Sequence, residues 1–314
     1  MKAPKSAILP RNKQDPTGAD SLERRAIKDF ARRIKAVGKV YIDALNRFPK
    51  SPAVNRRYEY QLDPLILAMI LEDASLLVDA VLLEGGQNNL WFSEDYIAPA
   101  SARGTSQTFV NLSQQSAAYA AGRESLQAIL LSLPCQRRLS LLFAREFEEM
   151  KGLSADIKRD MARILTDGLG RGLHPDIVAR NLRKQIGIEI RRANRIARTE
   201  ITYALRKARW EEAEIAIVEL GLKIMLLHFS ALSPTTRVNH ALRHGHLYTI
   251  AEVQEWYSIG ANAINCKCAQ VEILVDNKGK PLNSKVIDKA KKEFETEWNR
   301  FTVNKSICQC CLAA

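Results

Sequence analysis

The chain has 314 residues, with 47 Lys and Arg against 35 Asp and Glu, a formal charge of +12. Apolar residues make up 46% and charged residues 26%, which excludes a disordered or low-complexity chain, and the charge excludes an acidic one. A length of this order predicts about two domains, and sparse aromatics beside abundant Leu, Ile and Ala favour helices over strands.

Residues 1–20 carry Pro4, Pro10, Pro16 and Gly18 among basic residues such as Lys2, Lys5, Arg11 and Lys13, with no apolar period. This predicts a flexible basic arm. The N-terminus lacks the apolar segment of a signal peptide, so a cytoplasmic site of synthesis is expected. Ser21 opens a helix with Leu22, Ala26, Ile27, Phe30, Ile34 and Val37 on one side and Lys and Arg on the other. Pro49, Pro52 and Pro64 mark a turn region. The next helix, 65–83, is apolar nearly all round its first turns, which predicts burial in a core or an assembly interface. Its Glu72, Asp73 and Asp79 argue against a membrane span.

Residues 87–112 are small and polar and suggest no element. Helices are expected over 113–133, 136–151 and 154–169, and another from His174-Pro175-Asp176 to Gly187, with proline in its first turn. From 188 to 220 the pattern is helical throughout. Segments 222–229 and 268–275 read as strands, and 285–300 as a charged tail helix, followed by Cys308, Cys310 and Cys311. The expected organisation is a flexible arm (1–20), a helical domain (21–153), an α+β module (154–280), and a charged tail helix with a Cys-rich end (281–314). The fold class is therefore mainly α: a helical N-terminal half, then a small α+β module with a long Arg-rich helix and few strands.

On the 188–220 helix, Arg191, Arg195, Arg198, Arg206 and Arg209 fall within a sector of roughly 80°. Five guanidinium groups on one face suit phosphates or carboxylates, which pair with the planar fork. The alternative is a solvated face, and no aromatic residue interrupts the row to stack on bases. Further on, His240 and His244 stand one helical turn apart, and Cys266 and Cys268 share one side of an extended segment. Two imidazoles and two thiolates could hold a structural zinc ion tetrahedrally; two buried thiols beside surface histidines are the plainer alternative. Phosphate-loop, Gly-x-Ser-x-Gly and His-Glu-x-x-His patterns are lacking, and the chain is not expected to be an enzyme.

In order, the second half reads Gly172-Leu173-His174-Pro175-Asp176, Ala197-Arg198-Thr199-Glu200, Thr236-Arg237-Val238-Asn239-His240, and Asn265-Cys266-Lys267-Cys268. This succession resembles the head morphogenesis, or minor capsid, proteins of tailed bacteriophages, the phage Mu F-like family, over roughly residues 154–275. His228 stands where that family commonly has Trp, and Ser233 and Thr235 replace its usual polar pair before the Thr-Arg. The resemblance implies a non-catalytic minor capsid protein of the virion head interior, assembled in the host cytoplasm. Portal protein, the major capsid protein and packaged double-stranded DNA are the implied partners, with 21–153 as the portal- or coat-binding part. Two rival expectations remain: a nucleic-acid-binding protein of the virion interior, and a zinc-dependent hydrolase using His240, His244, Cys266 and Cys268.

Overall fold

The computed structural model describes residues 4–52 and 57–305, with side chains described to residue 297. Lys2 and the Cys308, Cys310 and Cys311 tail lie outside the described residues. The helices are α1 (Asp20–Arg47), α2 (Pro64–Leu82), α3 (Ala98–Gln115), α4 (Ala117–Gly122), α5 (Leu126–Leu131), α6 (Leu133–Gly170), α7 (Pro175–Leu220), α8 (Val238–Ala241), α9 (Ile250–Ser258) and α10 (Lys285–Lys305). Strands β1 (Lys50–Pro52) and β2 (Tyr58–Tyr60) pair antiparallel. A second sheet runs β4 (Leu247–Tyr248), β3 (Ile224–Phe229), β5 (Ala269–Leu274), antiparallel throughout. The mainly α class with a small strand-bearing module is as expected. No described helix is long and apolar enough to cross a membrane.

The chain forms two compact units that interleave along the sequence. One contains residues 1–22, 97–139 and 198–314; the other contains 23–96 and 140–197. The expected boundary near residue 153 falls inside α6, because Gly152 does not interrupt that helix. A glycine in a helix interior costs only about 1 kcal/mol relative to Ala, less than the burial of flanking apolar turns returns. Gly187 likewise sits within α7, which is one helix of 46 residues rather than two.

In the second unit, Phe30 of α1 meets Trp91 and Phe92 edge-on at centroid distances of 4.9 and 5.0 Å. Arg33 lies 4.1 Å from the Trp91 ring and donates to the Val81 carbonyl. Only Ile70, Ala74, Val78 and Leu82 of α2 are buried. Leu65, Ile66, Met69, Leu76 and Leu77 are exposed, Leu65 by 76%. Helix α2 thus buries one stripe and leaves a broad apolar face open. Ser154, expected to start a helix, instead lies mid-helix and donates to the Asp79 carboxylate at 2.6 Å.

In the first unit, residues 4–19 are not free, contrary to the expected flexible arm. Ala7, Thr17 and Ala19 are buried. The Ile8 N–H donates to Asn111, Gln107 donates to the Thr17 carbonyl, and Lys13 pairs with Glu293 at 2.7 Å. The arm has no apolar period because side chains of α3 bond its backbone at Ile8 and Thr17, while only Ala7 and Leu9 among its described residues pack on the cluster of β3 and β5. Strands β3 and β5 are buried on both faces. Ile224, Leu226 and Leu274 join a cluster with Trp210, Val253 and Tyr257; Leu227, Phe229, Val271 and Ile273 join one with Val286 and Ile287 of α10. Helix α3, absent from the sequence reading, is built of small residues because Gly104 lies against α7: a Cβ there would come within 2.2 Å of the Leu205 carbonyl oxygen.

Candidate metal centre and its pocket

The site lies wholly in the first unit and is assembled from three separate stretches of chain. The first is the Arg198-Thr199-Glu200 turn of α7. The second is the loop after β3, which ends in the single-turn helix α8. The third is the segment leading into β5.

Ser233 N–H donates to the Thr236 hydroxyl at 3.0 Å and Thr236 N–H to the Ser233 carbonyl at 2.9 Å, closing a turn ahead of α8. Arg237, immediately before α8, donates to the carbonyls of Ala261, Asn262 and Ile264, which joins this turn to the third stretch. Asn265 has φ 52°, in the left-handed region that Asn tolerates better than most residues. Its N–H donates to the Thr199 hydroxyl at 3.0 Å. Leu232, with φ 46°, is the other non-glycine residue with positive φ among the described residues, and it also lies in the loop after β3. Bulky residues enter this region only where the surroundings hold them there.

These turns bring His240, Cys266 and Cys268 together, all buried, with their ligand atoms within 4.8 Å of one another. His240 Nδ1 lies 3.3 Å from Cys266 Sγ and 3.5 Å from Cys268 Sγ. Two ligands at tetrahedral zinc distances, about 2.3 Å for sulfur and about 2.0 Å for nitrogen, stand about 3.5 Å apart. The donor set and its spacing therefore fit a zinc-class ion, and this group could hold a metal. The Cys268 N–H also donates to Cys266 Sγ at 3.4 Å, a bond that favours a thiolate. A hydrogen bond from the Cys268 thiol, outweighing burial and helped by Arg206 and His240, holds the Cys266 thiol well below its usual range. The same bond and burial push Cys268 well above it. The His240 ring packs edge-on against Trp256, with centroids 4.6 Å apart.

His244, expected as the fourth ligand, is not in this group. It is buried beside Ser230, with Nδ1 3.1 Å from both the N–H and the carbonyl of that residue, and its ring lies 4.6 Å from Phe229. The reason is local: α8 ends at Ala241, so the helical spacing that would align His240 with His244 stops after one turn. His228, whose place was expected to suit Trp, is fully buried against Trp256, and burial holds its imidazole well below the ordinary value of 6.5.

A cavity of about 300 Å³ opens onto all three candidate ligands. Arg198, Arg237, Lys267, Ser233, Thr235 and Thr236 line it as well, with no carboxylate among the lining residues.

The arginine row is divided. Arg206 and Arg209 are buried, so they do not present a continuous face with the rest. Arg206 donates to the Cys266 carbonyl at 2.6 Å and to the Cys268 carbonyl at 3.4 Å, and its guanidinium lies 4.3 Å from the Tyr257 ring. Arg209 makes a two-pronged pair with Glu272 at 2.9 and 2.8 Å. Arg198 faces the cavity, and Arg191 and Arg195 are exposed in the other unit. There they continue with Arg180 and Lys184, also exposed, within about 60° on α7. The periodic spacing marks a cationic row, but its C-terminal half, Arg206 and Arg209, is buried rather than in solvent. Helical spacing reports which residues share a face, not what covers that face. Arg180 and Lys184 belonged to a different expected helix and were missed for that reason. Thr199, Arg237 and Asn265 shape the pocket through contacts between distant segments, which residue type and spacing along the chain do not signal.

Fold and site together define a mainly α protein with a small antiparallel sheet, in which a buried His/Cys/Cys group between α8 and the start of β5 could hold a metal. Residues 159–271 match the model of the family described as Phage Mu protein F like protein, and the similarity of that segment supports a head-related role. No curated protein and no solved structure matches the chain.

Proposed function

We propose that this protein is a minor component of a tailed-phage head, bound to portal or inner capsid protein, and that it acts in assembly rather than catalysis. The observation that carries this reading is the Mu F-like match over 159–271, whose matched stretch contains the Arg198–Glu200, Thr236–His240 and Cys266–Cys268 segments that meet at one pocket. The exposed apolar face of α2 (Leu65, Met69, Leu76, Leu77) supplies surface of the kind a stable protein interface buries. A zinc ion on His240, Cys266 and Cys268 would tie α8 to the start of β5, a structural use of metal in a module with few aromatics. The test is mass spectrometry of purified virions from a phage encoding this chain, with infectivity scored after its gene is interrupted. Presence in heads and non-infectious particles on interruption are expected. Normal infectivity with no copies in the head would overturn the reading.

Contact with packaged DNA is favoured by one specific feature, the exposed row Arg180, Lys184, Arg191 and Arg195. It spans about 22 Å of helix, and none of the four has an ion-pair partner among the described residues. Duplex binding through this row would weaken steeply with salt, and replacing all four by Gln would lower the slope of log affinity against log salt by up to about 4. A slope unchanged in the variant would assign these cations to an acidic protein surface instead.

A further inference from the structure

We infer that the metal held by His240, Cys266 and Cys268 keeps one coordination position open to the pocket, and that this position takes a phosphate group. The inference rests on the metal reading given above and adds the fourth ligand to it.

The sequence offers two histidines for the site, but only one imidazole reaches the cysteines. His244 is oriented on Ser230 and Phe229 instead. Among the described residues, the group that could hold a metal is one of three ligands, not four. A tetrahedral ion bound by three protein atoms completes its shell from outside, which is the property that separates exchangeable sites from closed structural ones. Here the outside is defined: all three ligands border the same cavity, so the vacant direction faces it.

The chemistry of the walls selects the ligand. Arg198, Arg237 and Lys267 line the pocket as cationic side chains, and Ser233, Thr235 and Thr236 bring hydroxyls that can donate. Lys267 is paired with Asp20 at 2.6 Å, whereas Arg237 donates to neutral carbonyls and keeps its charge. A site with two thiolates and a divalent ion is itself near neutral, and the surrounding cations then favour an anion as the fourth ligand. Tetrahedral phosphate offers one oxygen to the metal and others to guanidinium and hydroxyl donors. Free phosphate and a terminal phosphate on a nucleic acid present this same chemistry.

The test uses the full chain loaded with Co2+, whose visible spectrum reports thiolate ligation and coordination number. Inorganic phosphate, a 5′-phosphorylated oligonucleotide and the same oligonucleotide without its phosphate are titrated in separate arms. A saturable spectral change with phosphate is expected, and X-ray absorption of the zinc form should show two sulfur and two light scatterers with one imidazole. A change with the phosphorylated but not the unphosphorylated oligonucleotide would add a nucleic-acid terminus as a source; a change with inorganic phosphate alone would restrict the site to the free ion. In Arg198→Gln the metal content and thiolate band should persist while phosphate binds about tenfold more weakly. A thiolate spectrum that no phosphate perturbs, or two imidazoles on the zinc, would overturn the open position and leave the metal reading intact. Failure of the native chain to bind either metal would end both.

Discussion

Arg206 and Cys266 are joined through the main chain: the buried guanidinium of α7 donates to the Cys266 carbonyl at 2.6 Å and reaches Cys268 through the next turn. The long helix thereby sets the path of the Cys-x-Cys segment from below, while His240 approaches its sulfur atoms from α8. Arg206 is a positioning residue, acting through the carbonyls rather than on any ligand.

Arg206→Met should lower stability by about 2–4 kcal/mol, since two buried carbonyls lose a charged donor. Lys should not restore it, because an ammonium lacks the planar fork that serves two carbonyls at once. Urea unfolding of both variants checks this. A Lys variant as stable as the parent would show that charge alone suffices.

Glu272 of β5 is fully buried one turn further along α7, bound by Arg209, Thr108 and Asn111. Glu272→Leu alone should cost about 3–5 kcal/mol by stranding the guanidinium, and Glu272→Leu with Arg209→Met should recover much of it. Burial alone would raise the Glu272 carboxyl, but Arg209 and Asn111 hold it below its ordinary 4.5. Its contribution is therefore present above that value and lost as pH falls through the lower folded value. Thermal melts from pH 6 to pH 3 should show the loss.

Burial holds His228 well below the ordinary 6.5 and lowers His244 in the same direction. The unfolded chain then binds more protons than the folded one below about 6.5, so stability must decline as pH falls from that value. His228→Phe should flatten the curve between pH 7 and pH 5, measured on metal-free protein. An unchanged curve would place the decline elsewhere.

Asn265→Val should destabilise by about 1–2 kcal/mol, because a β-branched residue tolerates the left-handed backbone poorly, whereas Asn265→Gly should be nearly neutral. Equal midpoints in denaturant for the two variants would contradict the backbone account.

Gly104→Ala should cost about 1–3 kcal/mol, since the added Cβ meets the Leu205 carbonyl oxygen and α3 must move away from α7. The same substitution at Gly152, where a Cβ meets nothing within 4 Å, should be neutral or slightly stabilising.

Local patterns made much of the fold legible. The 222–229 segment is a short apolar run and 268–275 alternates, with Gln270 and Glu272 between apolar residues; the structure places strands at 224–229 and 269–274, buried on both faces. Pro175 marked the start of α7, where a missing N–H costs nothing. Helix α3 was illegible because its small polar face answers to Gly104 and Glu272 contacts, not to a periodic apolar core. The breaks expected at Gly152 and Gly187 failed because a small propensity cost yields to the packing of long helices.

The +12 charge and the spacing of residue types were determined by the sequence by itself: a helical protein, a cationic row, and two pairs of soft ligands. Only the tertiary structure decided which of those residues act together. It withdrew Arg206 and Arg209 into carbonyl and carboxylate contacts, left Arg191 and Arg195 in solvent, and separated His244 from the cysteines. The physical reason is that periodicity specifies direction around one element, whereas burial and ligation depend on what a distant part of the chain brings to that direction.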